Sequence, residues 1–436
     1  MSLLSGILLI CCVSQSPTPH VLCEEDVYSI VSPNNGSGPL WSYGCTPIVR
    51  IGDDVIVSQM ETGKDVPLLC NTRWILRRRT KDGWPVIAEA EGYRQREPAS
   101  LGIGSDGTIF LNVNDSVTPP GTEYGECNPH VLTYSLTDPA INGRKLAPKW
   151  VDTPYFTDHS YRGFSVDSIT NEFLMLNIDA KTSVQNWCLM NAKGEAIRNG
   201  QITFPIRSCY PQVALQKGRA HVLAIGDIVE PVEEWRAYKF EQTGQKWDYV
   251  FRILHYTYTP DIAKQGFVPP IEIANVDKTA GAISNQDLWI APDGAAYILY
   301  TEREVQSALM RDKYFPGKSI ISSLNLAIVK DGKIASKKPL VPGTPEREVG
   351  CARFHESPDG VLYAVLYVSG SDPGNKLLQI SPSDDTATLV SIPLKTPFGS
   401  FTLASSRAGC KPSNIIDVLG HSKGGDTMSY AQVAIK

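Results

Sequence analysis

The chain has 436 residues, 42% of them hydrophobic and 20% charged, which supplies a large core and excludes a disordered tail. Forty-one Lys and Arg stand against 46 Asp and Glu for a net charge of −5, and no basic run extends beyond Arg77-Arg78-Arg79, so a nucleic-acid partner is not expected. No apolar run reaches the roughly 18 residues of a membrane-spanning helix, and 35 Gly and 31 Pro are dispersed without a period, which points to turns between short strands.

The first element is an apolar run, Leu3 to Val13, followed by Ser, Pro and Thr. Its length matches a secretory h-region, so residues 1–26 read as a signal peptide or amino-terminal extension, residues 27–436 as one domain, and the protein as secreted or periplasmic. A buried amino-terminal strand is the alternative. Ten cysteines are scattered without a Cys-x-x-Cys pair, so no zinc or redox motif is written in the chain, and one or two disulfides are compatible with the spacing.

From residue 46 onward one signature recurs seven times: a polar cluster, a short strand, a tight turn of Gly, Asp or Asn, and a second apolar strand. The turns fall at Asp54, Gly107, Asn171, Gly218, Gly294, Gly360 and Asn414. One such hairpin cannot bury its own face, whereas seven arranged radially, each completed by two further strands, form a β-propeller with short protected edges. Completing strands are legible at 74–78 with 84–89, at 186–190 with 196, and at 325–329 with 333. Thr301 to Tyr314 has helical composition, and Glu230 to Gln242 reads as a short helix or ordered loop. The fold class expected is therefore all-β, a seven-bladed propeller of four-stranded antiparallel blades. Six or eight blades, or a two-sheet sandwich with insertions, are the alternatives.

In such a propeller the first strand of each unit is innermost, and the residues entering it ring the mouth of the channel. They are Tyr43, Arg96, Glu97, His159, Tyr161, Arg162, Tyr210, Asn285, Gln286, Asp287, Arg353 and Arg407. A ring this rich in Arg, Tyr and His suits an anionic or sugar ligand. The densest segment is Asp158-His159-Ser160-Tyr161-Arg162-Gly163, in which His159 and Tyr161 share one face of an extended strand.

The polar-cluster, strand, Asp-Gly, strand unit resembles the BNR-type repeats of sialidase-like propellers, over most of the chain, and Cys209 to Asp261 resembles secreted bacterial BNR-repeat proteins. The strings Ser105-Asp106-Gly107 and Ser357-Pro358-Asp359-Gly360 depart from the sialidase Asp-box Ser-x-Asp-x-Gly-x-x-Trp, and Arg96-Glu97-Pro98 only echoes the sialidase Arg-Ile-Pro motif. Among enzymes, the resemblance implies polysaccharide lyases acting on uronate-containing glycans.

β-Elimination on a uronate needs a cation to neutralise the carboxylate, a base for the C5 proton and an acid for the leaving oxygen. His159 suits the base, Tyr161 or Tyr210 the acid with a pKa lowered by a nearby Arg, and Arg96 or Arg162 the carboxylate partner. The remaining ring residues, with Trp235 stacking on a sugar from a loop after the fourth repeat, are expected to bind substrate. A sialidase-like hydrolase would instead need two carboxylates roughly 5–9.5 Å apart, drawn from Glu97, Asp287, Glu230, Glu233 and Glu234. A non-catalytic propeller binding a glycan or protein is the third reading. The expected partner is an acidic oligo- or polysaccharide. No metal or cofactor is expected: His-Glu-x-x-His, Walker and EF-hand motifs are missing from the sequence, and a structural Ca²⁺ has no supporting motif.

Overall fold

The computed structural model describes residues 18–41, 46–159, 161–382 and 388–436. Tyr43, Cys45 and the apolar run of residues 3–13 lie outside them. The described chain forms seven four-stranded antiparallel sheets whose first strands contact one another around a closed ring, a seven-bladed β-propeller. These inner strands are Ile48–Ile51, Ser100–Ile103, Gly163–Asp167, Ser208–Gln216, Ala282–Ile290, Arg347–Glu356 and Ser400–Leu403. In blades 1 to 6 the strands follow chain order from the channel outwards.

Blade 7 is closed differently. Its outermost strand is Pro19–Ser29, paired antiparallel with Thr427–Ile435 from the other end of the chain. The propeller thus takes in residues 19–26, which the sequence reading had assigned to the leader, and the boundary at 27 is corrected. Only three of its eleven residues are buried and its hydrophobic alternation is interrupted by two register shifts, so its role depends on a partner strand some 400 positions away.

The core is divided among the seams between blades, each with its own buried apolar cluster. Phe110 of blade 2 meets Phe173 of blade 3 with ring centroids 5.0 Å apart, and Trp84 of blade 1 meets Tyr430 of blade 7 at 5.2 Å. Strands covered by sheets on both sides lose the apolar–polar alternation of a half-exposed sheet; Phe173 to Ile178 is buried throughout.

The two ends of the channel differ. One receives the segments that enter the inner strands, together with the connections between second and third strands. Blade 4 extends there as a ribbon, Ile228–Val229 with Tyr249–Val250, enclosing helix α1, Glu233–Thr243. Two acidic residues open α1, where the helix dipole favours them, and Gly244 ends it in the left-handed conformation. Helix α2, Ala308–Tyr314, is capped by Ser307 and packs on α1; residues 301–303, expected to be helical, end a strand instead.

The opposite end is closed by the loop between the first two strands of blade 7. This loop was expected to hold an inner strand at Arg407 to Cys410. It instead makes a 3-10 turn over Ser406–Ala408, and the inner strand is the earlier Ser400–Leu403. Gly409 is left-handed and presses on blade 2: a Cβ there would meet the Ile103 carbonyl oxygen at 2.1 Å.

Candidate active site

At the entrance end, three consecutive blades bring together Glu97, His159, Tyr161, Arg207 and Tyr210. Glu97 precedes the inner strand of blade 2, and its carboxylate accepts a hydrogen bond from His159 Nδ1 at 2.6 Å. Burial raises the Glu97 pKa, but the hydrogen bond and charge of His159, with Arg162 and Arg96 beyond, outweigh it and hold the group below the usual carboxylate range. A carboxylate on Nδ1 holds a proton there, so that in the neutral form of an imidazole the lone pair sits on the other nitrogen, Nε2, which is the one that can take a proton. Glu97 is 2% exposed, so it orients His159 rather than meeting a sugar as expected.

The His159 ring stacks on Tyr161 at 3.8 Å between centroids, and Tyr161 meets Tyr210 edge-on at 4.6 Å. Both tyrosines have left-handed backbones, with φ of 46° and 50°, a conformation rare for aromatic residues and costly without surrounding contacts. At Tyr210 the register of blade 4 shifts, and Asn285 Nδ2 of blade 5 donates to the Tyr210 carbonyl at 2.9 Å. Arg96, bound to Asp158 at 3.0 Å, and Asn285, bound to Tyr210, therefore belong to one contiguous network with His159.

The tyrosines do not have the lowered pKa expected of them. Burial, followed by the charge of Asp227, pushes the Tyr161 phenol far up despite Arg207, and burial, followed by Tyr161 and Asp227, does the same at Tyr210. Both phenols therefore keep their protons at neutral pH. Arg207, which sequence reasoning missed, lies 5.1 Å from the Tyr161 ring centroid and pairs with Asp227 at 2.7 Å, its own side chain 29% exposed. Its signal was weak: Arg207 stands one residue before an inner strand whose start was read at Tyr210. Trp41 and Phe251 complete the aromatic wall, each 5.8 Å from Tyr210.

Other predicted residues lie elsewhere. Arg162 is buried and donates to the carbonyls of Asn112 and Pro98, while Arg96 is 11% exposed and also holds the Asn35 carbonyl. Arg207 is thus the most accessible of these cations. Asn285, Gln286, Asp287 and Arg353 sit within inner strands rather than at their entrances, and stitch blades 4, 5 and 6 together. Gln286 accepts from Ala352 N and Arg353, and Asp287 from Phe354 N. Arg407 approaches from the closed end and meets Asp287 at 2.7 Å. Trp235 does not face an open sugar site; it packs on Tyr314 and Phe315 under the Arg252 guanidinium.

The carboxylates considered for hydrolysis are dispersed. Glu97 holds His159, Asp287 meets Arg407, and Glu230 is locked between Arg252 at 2.5 Å and Lys239 at 2.7 Å. Glu233 and Glu234 stand exposed at the start of α1. Among the described residues no three His, Cys, Asp or Glu gather in a metal-holding group. A cavity of about 370 Å³ lies at the closed end beside Arg407 and Lys411, away from the His159 cluster. Its lining holds Asp167 and Glu356 with Lys217, Arg407 and Lys411, whereas the carboxylate-oriented imidazole stands at the opposite face.

No protein-family model matches the sequence, BNR-repeat and sialidase families included, and no curated protein matches it. Among solved structures, the chain is similar to a polysaccharide lyase of family PL25, an ulvan lyase bound to -[GlcA(1-4)Rha3S]-, at 8% identity over 94% of each chain, with a TM-score of 0.58. It is also similar to the polysaccharide lyase Uly1, at 9% identity over 95% of this chain and 99% of that one, TM-score 0.50. At such identities the likeness shows a shared propeller fold.

Proposed function

We propose that the protein is a carbohydrate-active propeller that takes an acidic, uronate-containing polysaccharide at its entrance face and cleaves it by β-elimination. The observation that carries this reading is the Glu97–His159–Tyr161–Arg207 arrangement: an oriented imidazole, a neutral phenol and a part-exposed guanidinium within one cluster. Both similar structures above are polysaccharide lyases, one of them bound to a GlcA-containing oligosaccharide, which supports the same direction. The dispersal of the carboxylates among other partners weighs against the hydrolase.

In the reaction, Arg207 binds the uronate carboxylate and stabilises the charge that develops on it as the C5 proton leaves. His159 Nε2 takes that proton. The C5–H electron pair becomes the C4–C5 double bond as the C4–O bond breaks, and Tyr161 or Tyr210 gives its proton to the departing oxygen. The products are a new non-reducing end with a 4,5-unsaturated uronate and an intact sugar with a free hydroxyl. Such a substrate is extracellular, and we place the protein outside the cytoplasm accordingly.

The test is incubation with polygalacturonate, alginate, ulvan and chondroitin sulfate while absorbance near 235 nm is followed. Growth of the signal with wild type and its loss in His159→Ala is the expected result. New reducing ends without absorbance would replace elimination with hydrolysis, and neither signal with any polymer would leave a binding protein.

A further inference from the structure

The blade 4 extension carries an exposed aromatic surface that the reaction above does not use. Trp247 is 74% exposed, Phe240 50% and Tyr249 42%. Trp247 is the most exposed large apolar side chain among the described residues, and it stands on a braced base. Glu230 N donates to the Asp248 carbonyl at 2.8 Å, and Lys239 Nζ joins Asp248 at 2.8 Å to Glu230 at 2.7 Å. A bulky indole held in water on a rigid ribbon is an unfavourable arrangement for stability alone, and exposed apolar patches of this kind mark interaction sites.

Tyr249, two residues from Trp247 in the chain, ties this surface to the catalytic cluster. The Arg207 guanidinium lies 5.8 Å from the Tyr249 ring centroid and 5.1 Å from that of Tyr161, so one cation spans both surfaces. Lys246 is exposed next to Trp247 in the chain. Flat aromatic faces offer their π-surface to the C–H face of a pyranose, and adjacent cations answer its carboxylate or sulfate. The occupant that fits both features is an acidic sugar.

We propose that Trp247 and Tyr249 form an additional sugar subsite, in which they stack on residues of the acidic polysaccharide flanking the one held at His159. This rests on the proposed reading of the site, and binding separates the two. The stacking role first given to Trp235, which lies within α1, passes to Trp247 beyond the end of that helix.

Wild type, Trp247→Ala, Tyr249→Ala and, as a control, Ile169→Ala, which removes an exposed side chain at the opposite end, are run through native gels containing each of the four polymers named above. Rates at 235 nm are measured in parallel. The expected result is retardation of wild type and the control, with affinity about tenfold weaker in Trp247→Ala, equivalent to about 1.4 kcal/mol, and a KM for polymer that rises more than kcat falls. Retardation that depends on Trp247 without any 235-nm product would sustain the subsite and sink the elimination. Wild-type retardation in both aromatic variants, or no retardation of wild type by any of the four, would overturn the subsite whatever the reaction proves to be.

Discussion

His159 Nδ1 lies 2.6 Å from Glu97 Oε1, and the pair joins a ring 21% exposed to a carboxylate 1% exposed. A buried anion thus sets the tautomer of a reachable base. Replacing Glu97 by Gln keeps the shape but lets an amide N–H face Nδ1, which would move the ring proton to Nε2 and remove the base. Elimination is expected to fall by about 10²–10⁴-fold while retention on polysaccharide gels persists. Activity within a few-fold of wild type would remove His159 from the base role.

The same pair sets an acid limit on stability. The folded Glu97 pKa is depressed below the ordinary carboxylate value of 4.5, so its contribution is present above that value and is lost as pH falls through the folded pKa. Urea unfolding between pH 7 and pH 3 is expected to show wild type more stable than Glu97→Gln at neutral pH, with the gap closing in acid. A gap independent of pH would mean the carboxylate charge is not the stabilising feature.

Burial raises the pKa of Tyr161 and Tyr210, which sets them apart from ordinary tyrosines titrating near pH 10. Spectrophotometric titration of Tyr161→Phe and Tyr210→Phe is expected to show the same phenolate amplitude as wild type up to about pH 10.5. A missing step near pH 10 in either variant would make that phenol an ordinary one and weaken its case as the acid.

The architecture was legible because turns impose local chemistry: Asp106-Gly107, Asp293-Gly294 and Asp359-Gly360 mark the three hairpins that the structure places between first and second strands of blades 2, 5 and 6. Blade 7 escaped the pattern. Its turn had grown into an eleven-residue loop whose polar residues imitate a strand entrance, so Arg407 was read at the wrong end of the channel. The strand Pro19–Ser29 escaped too, because its partner lies at the far end of the sequence. Within the site, His159, Tyr161 and Tyr210 could be found from their place beside inner strands. Arg207 could not be singled out, because its value comes from Tyr161 and Asp227, contacts that only the ring of blades creates.

Arg407 and Asp287 form a buried pair, with side chains 10% and 3% exposed, and Arg407 also holds the Val213 carbonyl at 3.3 Å while its own carbonyl accepts from Ser165. Breaking such a pair from one side strands a buried charge, at about 3–5 kcal/mol. Arg407→Ala is therefore expected to lower unfolding stability in urea by an amount in that range without altering polymer binding at the other end. An unchanged midpoint would show that the loop, rather than the ion pair, seals the channel.

The last prediction concerns the strand Pro19–Ser29. It supplies the outer edge of blade 7 and also grips blade 1, since Glu25 accepts from Arg79 at 2.5 Å and from Trp84 Nε1 at 3.0 Å. Tyr28 is 8% exposed in the cluster between the two blades. Truncating Tyr28 to Ala is expected to cost about 3–5 kcal/mol, as for large aromatic side chains in cores. Removing residues 18–29 altogether would bare the backbone edge of Thr427–Ile435, a template for pairing with another chain, and size-exclusion chromatography is expected to show association of the shortened protein where the full chain runs as a discrete species. A shortened protein with unchanged elution and melting temperature would mean that three strands suffice for blade 7 and that the closure by Pro19–Ser29 contributes little to the ring.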